Sequence, residues 1–214
     1  MKRIFIFLAV LIPAISLQLS AQTSDQDVKD ALTNTSLKVT WLGADFSHCK
    51  IKGTFDCTPE QFVSQFIPAI NNVILAEPTK YDFAKFLNKA SFTTDIQSVT
   101  KANSAIDPGM MTQDEKTKLD EATINKIVSG YDLKGKEGIG AVLIYESISK
   151  QDLYATMYFA YVKMPEGKVI LSKPVGAKPA GFGLRNFWAS TVYSFLKDYN
   201  KAYLKAWKTD YGIK

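Results

Sequence analysis

Histidine, cysteine and arginine are nearly missing from this sequence. Its 214 residues include one histidine, His48, and two cysteines, Cys49 and Cys57. Arg3 and Arg185 are the only arginines. A structural zinc site needs four cysteine or histidine ligands, and three such side chains exist. A metal centre built on two or three histidines is excluded, and no metal or cofactor is expected. Histidine-dependent acid–base chemistry would have to run through His48. There is no Cys-x-x-Cys redox pair, no Gly-x-Ser-x-Gly nucleophile elbow and no phosphate loop ending in Gly-Lys-Ser/Thr. Gly135-Lys136-Glu137-Gly138-Ile139-Gly140 is glycine-rich but precedes a strand rather than opening a helix, so it fails the dinucleotide fingerprint.

Long apolar runs are also scarce, apart from the N-terminus. Lys2 and Arg3 precede the mostly apolar Ile4 to Leu19, which Pro13 interrupts, and Ser20-Ala21-Gln22 offers a small residue for signal peptidase. This is the layout of a signal peptide over residues 1–21, and it is too short and broken for a comfortable membrane span. Removing it takes the net charge from +5 to +3. So small a charge argues against a nucleic-acid partner. No later run is long enough to span a bilayer. The reading is a soluble exported protein, periplasmic or extracellular, with one domain over residues 37–214 behind a polar segment at 22–36.

What is present reads as alternating strands and helices. Ser24 or Asp25 can cap a short helix ending near Leu32. Leu37–Ile51 reads as a strand covered on both sides, with Gly43 marking a bulge or a close approach. Thr58-Pro59-Glu60-Gln61 opens a helix with a capping box, and Pro68 is expected to kink it. Tyr81–Asn88 suggests a further helical turn or two. Phe92–Thr100 reads as a strand, 101–112 as irregular, and Gln113–Ser129 as a helix capped by Gly130. Gly138–Ser149, Asp152–Met164 and Lys168–Val175 form an antiparallel meander. Leu184 to about Lys208 repeats apolar residues at the helical period. The sum is an α/β (α+β) domain: a mixed five-stranded sheet, helices on both faces and a long C-terminal helix.

Two stretches carry a resemblance. Trp41-Leu42-Gly43-Ala44-Asp45-Phe46-Ser47 and Gly181-Phe182-Gly183-Leu184-Arg185-Asn186-Phe187-Trp188-Ala189, with Asn71-Asn72 ahead of Glu77-Pro78, resemble a group of small, uncharacterised exported proteins of bacteria. The resemblance covers most of the chain beyond residue 21 and implies no activity. The order of elements is similar to that of small α/β domains of envelope assembly factors, such as the N-terminal domain of the translocation protein TolB. Fold order alone is weak ground for function.

Several residues could carry chemistry. Gly176-Ala177-Lys178-Pro179-Ala180-Gly181-Phe182-Gly183 leads into a helix whose first turn holds Arg185. A helix N-terminus attracts anions, so a cation there calls for a negative partner. That partner is internal, Asp45 or Glu146, or else an external anion that Lys178, Gly181 and Gly183 help to hold. Asp45 and Glu146 lie in apolar strands, where carboxylates need partners. His48 is a general base in one reading and a packing or solvated histidine in the other. With two cysteines in an exported chain, a Cys49–Cys57 disulfide is expected, stapling a strand end to a helix start. The tyrosines Tyr154, Tyr158 and Tyr161 form a ligand stripe or part of the core. The functional reading is a non-enzymatic binding or assembly module of the cell envelope, its partner an envelope protein. Two alternatives stand beside it: a carrier of a small anion at Arg185, and a hydrolase or lyase using Asp45, His48 or Glu146.

Overall fold

The computed structural model describes residues 25–112 and 118–214. The segment read as a signal peptide lies outside these residues, as does the start of the helix expected from Gln113. In chain order the elements are α1 (Asp25–Thr33), β1 (Lys38–Asp45), β2 (Lys50–Lys52), α2 (59–76), β3 (Ser91–Thr94), α3 (Gln97–Ser104), α4 (Glu121–Ser129), β4 (Gly138–Ser149), β5 (Tyr154–Met164), β6 (Lys168–Ala177) and α5 (184–210). Single turns at Phe83–Phe86 and Pro108–Met111 join them.

One mixed sheet runs β3-β1-β4-β5-β6. β1 is parallel to both β3 and β4, and β4, β5 and β6 are the antiparallel meander. The sheet has six strands where the sequence pattern counts five. The single strand expected over Leu37–Ile51 is broken by a turn in which the Cys49 N–H donates to the Phe46 carbonyl, 2.9 Å. Its two halves, β1 and β2, pair with successive stretches of β4. The expected strand Phe92–Thr100 shrinks to Ser91–Thr94, because Gln97–Ser104 is helical and turns Val99 onto the sheet. The segment expected to be irregular therefore contains the end of α3 and the turn at Pro108.

Helices cover both faces. Trp41, Leu143, Tyr145, Phe159 and Tyr161 share a core with α1, α2 and α5, including Leu32, Ile70, Trp188, Phe195 and Trp207. Leu42, Val142, Ile144, Ala160 and Val162 face α3 and α4 through Val99, Ile124 and Val128. Alternation along each strand makes this division, since successive side chains point to opposite faces. The Tyr161 hydroxyl lies 3.1 Å from that of Tyr199, and the Tyr158 hydroxyl donates to the Leu119 carbonyl at 2.7 Å. Two of the three striped tyrosines are thus structural.

Local signals place the helix ends. Thr58 and Gln61 close the capping box reciprocally: Gln61 N–H to Thr58 Oγ1 at 3.3 Å, Thr58 N–H to Gln61 Oε1 at 3.0 Å. Helix α2 accommodates Pro68 after a π-type turn at Phe62–Phe66. A second π-type turn at Tyr199–Tyr203 interrupts α5. Gly43 has φ of +120°, and a Cβ there would come within 3.0 Å of Val99 and 3.3 Å of Asn71. The pairing register of β1 slips by one residue at this point, so bulge and close approach coincide. Among the described residues, no helix is long and apolar enough to cross a membrane.

Candidate functional site

The connection from β6 to α5 is fastened at its base and open at its tip. The Ala180 N–H donates to Ser190 Oγ at 2.7 Å, and Ser194 Oγ donates to the Lys178 carbonyl at 3.3 Å. Beyond them, Gly181 and Gly183 have φ of +99° and +76°, values at which an L side chain is strained. Between these glycines stands Phe182, 95% exposed. Gly183 occupies the N-cap of α5 and offers no side-chain acceptor to the first turn.

Arg185 is exposed, and its Nε donates to Asn186 Oδ1 at 2.9 Å. Among the described residues no ion pair involving Arg185 occurs. The internal pairing with Asp45 or Glu146 is therefore not made. Phe182, Arg185 and Asn186 border an open depression whose other wall is Gln65, Phe66 and Ala69 of α2. Lys178 is exposed nearby in sequence but does not line it.

Asp45 and Glu146 come to the same end of β4. Asp45 closes β1 opposite Ile144, and Glu146 lies at the bulge where β4 shifts register against β5. Asp45 is fully buried. One of its oxygens accepts from the Ser47 N–H at 2.7 Å and the other from the Tyr131 hydroxyl. Burial, and next the Asp45 charge, push the Tyr131 phenol far up, so it remains a donor at neutral pH. Glu146 accepts from the Leu119 N–H at 2.7 Å. Both carboxylates thus act as acceptors that hold chain segments in place. His48 is exposed and bonds only its neighbour, Ser47 Oγ, at 3.0 Å. The Ser47 N–H, not His48, takes the Asp45 carboxylate.

The expected disulfide is absent: Cys49 and Cys57 are free thiols. The turn after Phe46 sends Cys49 into the core, 3% exposed, while Cys57 is half-buried ahead of the Thr58 cap. Burial raises both thiols, Cys49 much more. Among the described residues, no group of three or more His, Cys, Asp or Glu side chains is placed to hold a metal ion.

Sequence reasoning missed the residues that hold the end of β1. Asn71 Oδ1 accepts from the Ala44 N–H at 2.8 Å, and Asn71 Nδ2 donates to the Ala44 carbonyl at 3.0 Å. Asn103 Oδ1 accepts from the Phe46 N–H at 2.7 Å. Asparagine inside an apolar helical run is a weak helix former, and that was the available signal for Asn71. Tyr131 and the exposure of Phe182 carried no pattern of their own.

No family model and no curated protein matches the chain. Among solved structures it is similar to the LpoB C-terminal domain from Salmonella enterica. The identity is 9% and the TM-score 0.28, over 71% of this chain and 95% of that one.

Proposed function

We propose that this chain is an exported, non-enzymatic binding or assembly module of the bacterial cell envelope, and that it meets its partner through the Gly181–Arg185 loop and the adjoining face of α2. The observation that carries the reading is Phe182. An almost fully exposed phenylalanine between two positive-φ glycines has no role in packing among the described residues. Aromatic and arginine side chains dominate binding energy at protein interfaces, and here Phe182 and Arg185 lie three residues apart. The neighbouring helix adds a second trait of interfaces, depletion of charge. From Gln61 to Ala76 no side chain is ionisable, although 22% of the chain is Asp, Glu, Lys or Arg. The leader-like residues 1–21 support the envelope as the place.

The test is an envelope pull-down with the mature wild-type chain, Phe182→Ala and Arg185→Ala. Loss of the same partner by both variants, with unchanged thermal unfolding, supports the loop as the contact. Equal recovery by all three folded proteins overturns it.

A further inference from the structure

The flank of α2 facing away from Phe182 borders a different feature. Beyond β1 the chain passes through β2 to α2 on one face, and its neighbour β3 leaves toward α3 on the other. Open α/β sheets bind small ligands in the crevice outside the carboxyl ends of strands, where adjacent connections part in this way. At that place lies a cavity of about 140 Å³. Val63, Ile67 and Pro68 of α2 form one wall, and Ile96, Thr100 and Ser104 the other.

Three properties define what it can take. First, an apolar cavity of about 150 Å³ accommodates a benzene ring, so the occupant is ring-sized. Second, no lining residue is ionisable. A charged group entering it would lose hydration without gaining a counter-charge, which selects against ions. Third, the two amides at its inner end are engaged: Asn71 and Asn103 hold the backbone of Ala44 and Phe46. Polar contact is left to the exposed Asn72, Thr100 and Ser104 at the mouth. We infer that this crevice binds an uncharged, ring-sized molecule, apolar over most of its surface and carrying one hydrogen-bonding group, in the manner of a neutral phenol or cyclic alcohol. The site is separate from the Phe182 loop and does not depend on it.

The experiment titrates the folded chain with phenol, benzyl alcohol and cyclohexanol, and with the charged analogues benzoate and benzylamine. Saturation-transfer NMR and thermal shift give the readout. The expected result is binding of at least one neutral probe and of neither charged one. Thr100 and Ser104 are exposed, so Thr100→Trp and Ser104→Phe are compatible with folding and place a ring over the mouth. Each should weaken the neutral probe by at least about tenfold, the scale of a lost apolar subsite. Phe182→Ala should leave it unchanged. Failure of every neutral probe to bind, equal binding of the charged analogues, or full retention in both folded mouth variants would overturn the inference.

Discussion

Asn71 and Asn103 approach the end of β1 from opposite faces of the sheet and donate to the same oxygen, the Ala44 carbonyl, each at 3.0 Å. Their own carbonyls take the N–H groups of Ala44 and Phe46. A parallel strand that ends inside the protein leaves backbone groups that must be satisfied, and these two side chains do so. They also tie α2 and α3 together across Gly43, where only hydrogen fits comfortably.

Asn71→Ala and Asn103→Ala should therefore each destabilise the fold by about 1–3 kcal/mol, the cost of leaving buried backbone groups unpaired. Because both bond Ala44, the double variant should differ from the sum of the singles. Urea unfolding measures all three. Single variants as stable as wild type would refute the clamp.

The Phe182 loop should behave in the opposite way. Phe182→Ala removes no internal packing and should shift stability by no more than about 0.5 kcal/mol. Gly183→Ala forces an alanine into φ of +76° and should cost about 1–2 kcal/mol. Thermal unfolding of the two variants side by side separates a surface role from a backbone role.

The thiols should differ in reactivity. Iodoacetamide acts on thiolates, and burial holds Cys49 protonated as well as covered. Native protein should be alkylated at Cys57 alone and denatured protein at both, with no reductant required. A mass deficit of two hydrogens in the unreduced chain would contradict the free pair.

Stability should pass through a maximum on the alkaline side of neutrality. Lys89 is buried, with its ammonium donating to the Ala31 and Asn34 carbonyls at 2.7 and 3.0 Å. Burial, aided by the Lys208 charge, brings it down to about 8. Between about 8 and the ordinary lysine value near 10.4 the unfolded chain binds the extra proton, so stability rises with pH. Burial raises the phenols of Tyr131, Tyr161 and Tyr199, the last to about 12. Above the usual tyrosine value near 10 the folded chain keeps protons that the unfolded chain has lost, so stability then falls. Urea midpoints against pH should show both limbs, and Lys89→Met should remove the rising one alone.

The sequence made the meander and the helix caps legible because each rests on local chemistry: short turns, a capping box, a period of two or 3.6. Ile96 and Val99 misled because two aliphatics three apart fit a helix as well as a strand, and the Asn103 contact that settles it is 59 residues away from Ala44. Of the two partners that Arg185 calls for, the internal carboxylate is not supplied, because Asp45 and Glu146 bond backbone N–H groups and Tyr131 instead. Cysteine spacing suggested a staple, but the turn at Phe46 directs Cys49 inward. In the candidate sites, glycine placement was visible from the residues alone. The crevice between α2 and α3 was not, since no sequence pattern reports where two crossovers part.

Strand β4 also imposes a timetable. β1 and β2 both lie along one of its edges and β5 along the other, yet it begins only at Gly138. A chain made from its N-terminus completes β1, β2 and β3 well before the strand that organises them exists. The meander, by contrast, is contiguous and its contacts are local, which favours early formation. β1 and β2 thus lack the neighbour they share until β4 is supplied from the C-terminal half, and before then β1 has only β3 to pair with.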